Sequence, residues 1–384
     1  MGAYMRIGAV IAEFNPFHNG HAYIVSGIKE ENDVCAAVMS GNFVQRGEPA
    51  IYDKFTRARA AVYGGVDLVL ELPVEYAVNN AETFAYGGVY ILDACGCVDS
   101  LYFGSECGNL DKIESAAELM LDEPPAVSRK IRELLDKGYG YSAAREAAYG
   151  GMTDADIISK PNNILAVEYV KALKRMGSGI VPDTIKRINT EHDGMTVCGG
   201  YASASLIRDM IVSGKNADEF MPHKCAGLFK NAPVCRPDSA DDIILYLLRR
   251  YGAGYISEIN DVSEGIENRI YKAACTENGI DGIVNRVCTK RYSRARIRRI
   301  IISAILGIKK NDIKIPSYIR VLAMNKKGAA ALSVMKRTAR IPIITKAADF
   351  KEMLGQESRV SDIYSALNKT EAGGEYTSSV FVDV

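Results

Sequence analysis

Short apolar runs alternate with amphipathic segments through the first half of the chain. The apolar runs lie at residues 7–12, 34–39, 66–73 and 100–105. Segments with the apolar spacing of helices separate them, at residues 21–31, 53–63 and 78–93. Strands that alternate with helices of this length predict an α/β fold with a parallel sheet, whose ligands bind beyond the carboxyl ends of the strands.

The pattern changes after the fourth apolar run. Residues 109–149 have the spacing of amphipathic helices, with breaks at Pro124-Pro125 and at Gly138-Tyr139-Gly140. We interpret this region as an insertion that covers the sheet. A further helix is predicted at residues 164–175 and a last strand at residues 184–188.

Beyond Gly214 the alternation of strands and helices disappears. The pattern is helical, and its strongest segments are residues 241–251, 265–275 and 285–306. The sequence therefore predicts an α/β domain over residues 1–214 and a mostly helical C-terminal domain over residues 215–384.

Composition bounds the possible partners. The 47 lysines and arginines equal the 47 aspartates and glutamates, so net charge predicts neither a nucleic acid nor a membrane, and any basic surface must be local. No apolar run approaches the roughly 20 residues of a membrane span, and no signal peptide is recognisable. We therefore expect a cytoplasmic protein without a membrane partner.

The nine cysteines are an odd number and form no CxxC pair, which favours reduced thiols in a cytosolic protein. Cys95 and Cys97 are closely spaced but lack the second pair that a structural zinc site needs. No metal site is predicted from these residues.

Two of the four histidines lie directly after the first predicted strand, in the segment Asn15-Pro16-Phe17-His18-Asn19-Gly20-His21. The order of strand, turn and helix places this segment at a helix N-terminus, where free backbone N–H groups and the helix dipole attract anions. Two imidazoles there would face a phosphate. The alternative is that they are structural residues that cap the turn.

A second candidate anion site lies at Ser203-Ala204-Ser205-Leu206-Ile207-Arg208. Serine hydroxyls at a helix start, with a guanidinium about one turn later, suit an anion. An ordinary helix cap explains the same pattern.

His18-Asn19-Gly20-His21 matches the HxGH pattern of the nucleotidylyltransferase superfamily, in which both imidazoles contact the phosphates of ATP. Residues 203–208 resemble its second signature, ISSTxxR, although Ala204 replaces the middle serine and Ser205 the threonine. This resemblance implies a Rossmann-like parallel sheet of the nucleotidylyltransferase type and leaves open which hydroxyl contacts phosphate.

Further segments narrow the resemblance. The chain is similar to the bacterial tRNA(Met) cytidine acetate ligase family at residues 13–21, 39–50, 103–106, 159–165 and 318–320. This family implies that acetate and ATP form acetyl-adenylate, and that the acetyl group passes to the exocyclic amine of the wobble cytidine in elongator tRNA(Met). The implied partners are acetate and this tRNA, with no protein partner, and Mg²⁺ is expected to accompany ATP.

The resemblance assigns catalysis to His18 and His21, which would stabilise charge on the α- and β-phosphates. It implies an ATP site formed by Ile11, Asn15, Pro16, Phe17, His18, Asn19, Gly20, His21, Ile24, Gly104, Asn162, Arg187, Ser203, Ser205 and Arg208. Taken alone, three of these have ordinary alternatives, which are a plain turn for Gly104, a helix cap for Asn162 and a surface charge for Arg187.

The segment predicted as a helix over residues 285–306 carries a basic cluster without an acid. Its members are the predicted RNA-binding residues Arg286, Lys290, Arg291, Arg294, Arg296, Arg298 and Arg299. The alternative is a charged face whose acids come from elsewhere in the chain.

The other basic residues and histidines lead to weaker expectations. We interpret Lys54, Arg57 and Arg59 as the solvated face of a helix rather than as a surface that steers a polyanion. His192 is expected to edge the nucleotide site, and His223 to be structural.

Two other functions stay open from the residues. HxGH also fits a cofactor-type adenylyltransferase with a small phosphorylated acceptor, although such an enzyme needs no long cationic helical domain. The second is a non-catalytic RNA-binding protein that uses ATP as a structural ligand. The ligase and the adenylyltransferase would both release pyrophosphate, whereas the non-catalytic RNA-binding protein would not.

Overall fold

The computed structural model describes residues 5–188 and 199–384. Its strands are β1 (Ile7–Ala12), β2 (Val34–Ser40), β3 (Phe43–Val44), β4 (Glu48–Pro49), β5 (Leu68–Leu72), β6 (Ser100–Ser105), β7 (Val181–Lys186), β8 (Ile319–Asn325), β9 (Ile343–Ile344) and β10 (Phe381–Asp383).

The helices of the first half are α1 (Asn19–Glu31), α2 (Lys54–Tyr63), α3 (Val74–Ala77), α4 (Ala81–Cys95), α5 (Leu110–Leu121), α6 (Pro125–Asp136), α7 (Tyr141–Tyr149), α8 (Ala155–Ser159) and α9 (Pro161–Met176). Those of the second half are α10 (Ala204–Val212), α11 (His223–Phe229), α12 (Asp241–Glu258), α13 (Ile266–Ala274), α14 (Ile280–Val287), α15 (Arg294–Leu306), α16 (Lys326–Thr338), α17 (Gly355–Asn368) and α18 (Gly374–Thr377).

The main sheet has the strand order β10-β8-β5-β2-β1-β6-β7, with β9 paired to β8. Neighbouring strands are parallel except β5 and β8, which are antiparallel. The four apolar runs form β1, β2, β5 and β6, which confirms the predicted α/β class. The last predicted strand also exists, but it starts earlier, at Val181.

β1 lies in the middle of this sheet and is covered on both faces. Ile7, Ala9 and Ile11 pack in the core cluster that contains α4, α5 and α9. Val10 points the other way, into the cluster formed with α1, α2 and α11. A continuous apolar run is the sequence pattern of such a doubly covered parallel strand.

The predicted helix over residues 285–306 is wrong in its extent. α14 ends at Val287 and α15 starts at Arg294. Ser293 caps α15 by accepting a hydrogen bond from the N–H of Arg296, and the Thr289 hydroxyl accepts from the N–H groups of Arg291 and Tyr292. These local side-chain bonds compete with helix continuation, so the basic cluster occupies a helix end, a turn and a second helix.

The sheet is not confined to residues before Gly214. β8, β9 and β10 come from the C-terminal part and extend the sheet beyond β5. The division of the chain into domains at residue 214 stays a prediction, but that boundary does not enclose the whole sheet. The second half is helical between residues 215 and 306, where a separate apolar core forms around α12 to α15.

The predicted insertion consists of α5, α6 and α7, with breaks at Pro124 and at Gly138-Tyr139-Gly140. Its second break contacts the turn between α14 and α15. A Cβ atom on Gly140 would lie 1.8 Å from the carbonyl oxygen of Lys290, so this backbone approach requires glycine. None of the helices in the described ranges is both long enough and apolar enough to cross a bilayer.

Candidate functional site

The strand order reverses between β1 and β6. β2 and β5 extend the sheet on one side of β1, whereas β6 and β7 extend it on the other. Loops leave in opposite directions at such a point and open a crevice beyond the carboxyl ends of the strands. The loop after β1 carries His18 and His21, and Gly104 lies near the carboxyl end of β6.

His18 is the N-cap residue of α1. Its Nδ1 accepts a hydrogen bond from the N–H of Gly20 at 3.0 Å, and its own N–H donates to Nδ1 of His21 at 3.3 Å. This reciprocal capping fixes both rings at the helix N-terminus, where the dipole and the free N–H groups favour an anion. The two ring centroids lie 3.9 Å apart.

Both imidazoles are neutral. Burial, together with the Arg187 and Arg208 charges, lowers the pKa of His18 to about 3. Burial, His18 and Arg187 lower the pKa of His21 well below its ordinary value. Because Nδ1 of each ring accepts a hydrogen bond, the ring proton resides on Nε2. Each ring therefore offers one Nε2–H donor to a ligand.

The two histidines line a narrow pocket between α1 and the residues that follow β7. Its predicted members are His18, Gly20, His21, Ile24 and Arg187, and its other members are Tyr23, Ile188, Tyr201 and Ala202. The structure thus brings together part of the predicted ATP site. Sequence reasoning missed Tyr201, because nothing in its neighbours indicates that the chain returns to α1 at this point.

Gly104 lies beside the pocket. A Cβ atom on it would lie 3.0 Å from Ile24 Cδ1 and 3.2 Å from Arg187 Cγ, so any side chain there would crowd both pocket residues. Burial lowers the pKa of Arg187, and the nearby Glu106 opposes that effect. A guanidinium remains charged under these conditions, so the pocket wall carries a cation next to the neutral imidazoles.

Ile11 is in the predicted set but its side chain faces away from the crevice. A Cβ atom on Gly88 of α4 would lie 2.7 Å from Ile11 Cδ1, so the side chain packs against α4 in the core. Only the backbone of Ile11 can face a nucleotide.

The other residues of the histidine turn hold it in shape. The Asn15 side-chain oxygen accepts from the N–H of Ile51 at 2.8 Å, while its buried Nδ2 makes no hydrogen bond in the described structure. Pro16 follows through a cis peptide bond. Asn19 donates to the carbonyl oxygens of Gly200 and Glu219 at 2.9 and 3.0 Å.

Phe17 forms the wall behind the pocket. It is fully buried and packs on Gly64, and its ring centroid lies 5.5 Å from that of His21. Its contribution is therefore to support the imidazole rather than to bind a polar ligand group.

The second signature forms a cluster next to Asn15. Ser203 caps α10, since its hydroxyl accepts from the N–H of Leu206 at 3.1 Å. Ser205 accepts from Arg46 at 3.1 Å and from Arg208 at 3.4 Å. Arg208 also donates to the carbonyl oxygen of Asn15 at 2.9 Å. Ser205 is thus the hydroxyl that lies among cations, whereas Ser203 already has a structural role.

Glu48 and Glu13 add negative charge to this cluster. Glu48 pairs with Arg208 at 3.3 Å, and Glu13 accepts from the N–H of Gln45 at 2.8 Å. Burial raises the pKa of Glu13, although Arg46 and Arg208 act in the opposite direction. The β3–β4 hairpin therefore carries its polar side chains to the edge of the crevice.

Asn162 lies at the start of α9. Its side chain donates to Glu106 Oε1 at 2.7 Å, and the same carboxylate accepts from the N–H of Asn163 at 2.8 Å through its other oxygen. Asn162 is thus held at the helix start by Glu106, whose charge also acts on Arg187. Glu106 therefore links Asn162 to Arg187 of the histidine pocket.

The expectation that Lys54 and Arg57 lie on a solvated helix face is wrong. Both are buried, and only Arg59 is exposed. Arg57 donates to the carbonyl oxygens of Glu13, Ser40, Gly41 and Tyr52, so it fastens the ends of β1 and β2. The carbonyl groups of Glu13, Ser40 and Gly41 lie 16 or more positions away in the chain, and local spacing does not reveal such partners.

Lys54 belongs to a buried charge network that joins the two halves of the chain. Its ammonium lies 2.6 Å from Glu71 and 2.5 Å from Glu375. Arg320 lies 3.7 Å from Glu375. Burial opposes the charged form of Lys54, but these carboxylates raise its pKa above the ordinary value.

Most predicted RNA-binding residues have acidic partners. Ion pairs join Arg286 to Glu277, Arg291 to Glu264, Arg298 to Asp281, and both Arg296 and Arg299 to Asp261. Among the described residues, no ion pair is found for Lys290 or Arg294, and both are exposed. These two are the cations of the cluster best placed to meet a polyanion.

Some expectations fall outside the described ranges. His192, which was expected to edge the nucleotide site, lies within residues 189–198 and is not described. The same holds for most of the loop at residues 193–200. His223 is exposed at the start of α11.

Mg²⁺ was expected to accompany ATP. In the ranges 5–188 and 199–384, no group of three or more histidine, cysteine, aspartate or glutamate side chains is placed to hold a metal ion. We therefore assign no protein ligands to Mg²⁺.

Chemically, the arrangement suits stabilisation of phosphate charge. Two neutral imidazole donors, the N-terminus of α1 and the Arg187 guanidinium converge on one pocket. Fixed donors of this kind act where charge develops during displacement at phosphorus, and they need no reorganisation during the reaction.

A family model described as HIGH nucleotidyl transferase matches residues 5–378. Two curated relatives are named tRNA(Met) cytidine acetate ligase. The relative from Thermoanaerobacter sp. (strain X514) is 41% identical over 391 residues, which cover 96% of this chain and 97% of the relative. That from Caldanaerobacter subterraneus subsp. tengcongensis is 42% identical over 393 residues, with the same coverage of 96% and 97%.

Two solved structures of Thermotoga maritima TmcAL are similar over nearly the full length. The form bound with alpha-thio ATP has a TM-score of 0.90 and 30% identity, and covers 99% of this chain and 100% of that chain. The apo form has a TM-score of 0.92 and 30% identity, and covers 98% and 99%.

Proposed function

We infer that this chain, which belongs to the tRNA(Met) cytidine acetate ligase family of HIGH nucleotidyl transferases, is an ATP-dependent ligase. Its substrates are acetate, ATP and elongator tRNA(Met). It activates acetate as acetyl-adenylate and transfers the acetyl group to the exocyclic amine of the wobble cytidine. Since the substrate is a tRNA, the proposed place of action is the cytoplasm.

In the first half-reaction, a carboxylate oxygen of acetate attacks the α-phosphorus of ATP and the bond to pyrophosphate breaks. Negative charge grows on the phosphoryl oxygens and on the leaving group. The Nε2–H groups of His18 and His21 donate to these oxygens, and Arg187 adds a positive charge. Loss of one such donor typically costs about 10²–10³ in rate.

Because both imidazoles are neutral, they act as hydrogen-bond donors and not as imidazolium acids. Their low pKa values follow from burial and from neighbouring arginines. Neutral donors bind ATP without a competing proton equilibrium near pH 7. This distinguishes the proposed role from general acid catalysis.

In the second half-reaction, the amine of cytidine attacks the acetyl carbonyl, AMP leaves and the amine loses a proton. No covalent intermediate with the enzyme is required. The buried thiols of Cys225 and Cys235, whose pKa values burial raises to about 12, are poor nucleophiles and have no part in this scheme.

The proposed contact with tRNA phosphates is the basic turn, residues 288–294, which runs from the end of α14 to the first residue of α15. Lys290 and Arg294 are exposed there and carry no acidic partner among the described residues. Phosphate contacts of this kind provide affinity and register rather than sequence choice. Mg²⁺ would accompany ATP, and its charge would add to that of Arg187 at the phosphates.

The observation that carries the proposal is the pair of imidazoles at the N-terminus of α1, whose Nδ1 atoms both accept backbone hydrogen bonds. It is tested by mixing purified protein with ATP and acetate and measuring pyrophosphate release and AMP, with and without tRNA. Acetate-dependent pyrophosphate release supports the ligase. Release that requires a small phosphorylated acceptor instead supports a cofactor-type adenylyltransferase, and no release contradicts both.

A further inference from the structure

Two large aromatic side chains on α12 are exposed. The exposed fractions of Tyr246 and Tyr251 are 62% and 56%. α12 changes direction at Gly252, whose φ of 69° and ψ of −170° are not helical, so Tyr251 stands at the corner. Neighbouring exposed aromatic rings on one surface mark an interaction site more often than isolated apolar residues do.

The guanidinium of Arg250 lies next to both rings. Its distance is 5.8 Å from the ring centroid of Tyr246 and 5.6 Å from that of Tyr251. Tyr251 also contacts Tyr255, whose hydroxyl donates to the carbonyl oxygen of Ala304 on α15 at 2.6 Å. The surface thus combines a planar cation with aromatic faces, and a side chain anchored in the helical core supports it.

A series of contacts joins this surface to the predicted RNA-binding residues. Arg249 donates to the carbonyl oxygens of Ala274 and Glu277 at 2.7 and 2.9 Å. Arg286 donates to the side chain of the same Glu277 at 3.0 Å. Arg249, which precedes Arg250 in the chain, is therefore linked through Glu277 to Arg286.

The free cations of this surface favour an anionic partner. Arg249 and Arg250 are exposed, and no ion pair is found for either among the described residues. Arginine stacks on bases and contacts phosphates, which lysine does less well. Aromatic rings interleaved with arginines are the pattern by which proteins hold unpaired nucleotides.

We propose that Tyr246, Arg250 and Tyr251 form a stacking platform for unpaired nucleotides of the RNA substrate. This inference rests on the proposed function, because it takes tRNA as the partner. A double helix hides its bases, whereas a tRNA loop can expose them to the tyrosine rings. The platform extends RNA contact to a face of α12 that lies outside the basic cluster.

The test compares leucine and phenylalanine at the two tyrosines. Tyr246→Leu and Tyr251→Leu keep apolar bulk but remove the aromatic face, whereas Tyr246→Phe and Tyr251→Phe are the matched controls that keep it. Each leucine variant is expected to raise Kd for elongator tRNA(Met) by about fivefold or more, and each phenylalanine variant by less than about twofold. The dependence of Kd on salt stays as in the wild type, because no phosphate contact is lost.

Acetate-dependent pyrophosphate release without tRNA is measured on every variant and is expected to be unchanged. Leucine variants that bind tRNA as tightly as the wild type would overturn the platform and leave the ligase proposal standing. A wild type that binds no tRNA would overturn both. Weaker binding with a reduced salt dependence would assign these residues to phosphate contact and contradict stacking.

Discussion

The backbone N–H of His18 donates to Nδ1 of His21 at 3.3 Å, and the two imidazole rings lie 3.9 Å apart. This bond determines more than the shape of the turn. It occupies the unprotonated nitrogen of His21 and so leaves Nε2–H as the donor of that ring. The N–H of Gly20 does the same for His18. The backbone of one short segment thus sets the protonation pattern of both histidines.

Replacing His21 by alanine removes one of the two proposed donors to the phosphates. We expect acetate-dependent pyrophosphate release to fall by about 10²–10³, while tRNA binding changes little, because the basic turn lies elsewhere. His223→Ala is the matched control, since that histidine is exposed on α11 and should leave both activities unchanged. Equal loss of adenylation and tRNA binding in His21→Ala would mean that the histidine is structural.

The low pKa of His18 makes stability depend on pH with a definite sign. Its pKa is about 3 in the folded chain against 6.5 for the ordinary group. Between these values the unfolded chain binds more protons, so the free energy of unfolding falls on acidification, by about 1.4 kcal/mol per pH unit at most for this residue. Above pH 6.5 His18 is neutral in both the folded and the unfolded chain, so it causes no further change in the free energy of unfolding.

His18→Asn removes that titration. Urea unfolding at pH 7 and pH 5 should show that the wild type loses about 2 kcal/mol more than the variant on acidification. The carboxyl groups with raised pKa values, such as Glu13, are present in both proteins and cancel in this comparison. Equal losses in the two proteins would show that His18 is protonated normally in the folded chain.

Lys54→Met tests the buried charge network. The substitution leaves the carboxylates of Glu71 and Glu375 in the interior without their ammonium partner, so we expect the free energy of unfolding to fall by about 3–5 kcal/mol. Lys346→Met is the control, because its pair with Asp349 is exposed and contributes less than about 1 kcal/mol. Urea unfolding measures both, and similar small losses would contradict a network that joins the two halves.

Charge reversal at Arg294 tests the basic turn. Arg294→Glu should raise Kd for tRNA and reduce the slope of log Kd against log salt, because the proposed phosphate contact is lost. Arg291→Glu is the comparison variant, because Arg291 lies in the same turn but already forms an ion pair with Glu264. An unchanged slope in Arg294→Glu would remove this residue from the RNA contact.

The sequence predicted best what depends on neighbours along the chain. The buried strands and the turn with His18 and His21 follow from apolar runs and from punctuation by proline and glycine. Their placement in one crevice follows from the geometry of parallel sheets, and in the structure His18, His21, Ile24 and Arg187 line one pocket.

What the sequence did not predict depends on distant partners. The local sequence predicts that Lys54 lies on the surface. In the structure its ammonium lies 2.5 Å from Glu375, which is more than 300 positions later in the chain. β8 was not predicted either, because it joins the sheet by pairing with β5, which is far from it in the chain. The break before α15 had a local signal, the capping residue Ser293, which the strong basic pattern concealed.

Transfer of labelled acetate to tRNA tests the central claim most directly. Purified protein, ATP, labelled acetate and unmodified elongator tRNA(Met) should yield tRNA with one acetyl group at the wobble cytidine, and one AMP for each acetyl group transferred. The same tRNA with uridine at that position should accept no label. Pyrophosphate release without any label in the intact tRNA would contradict the assignment.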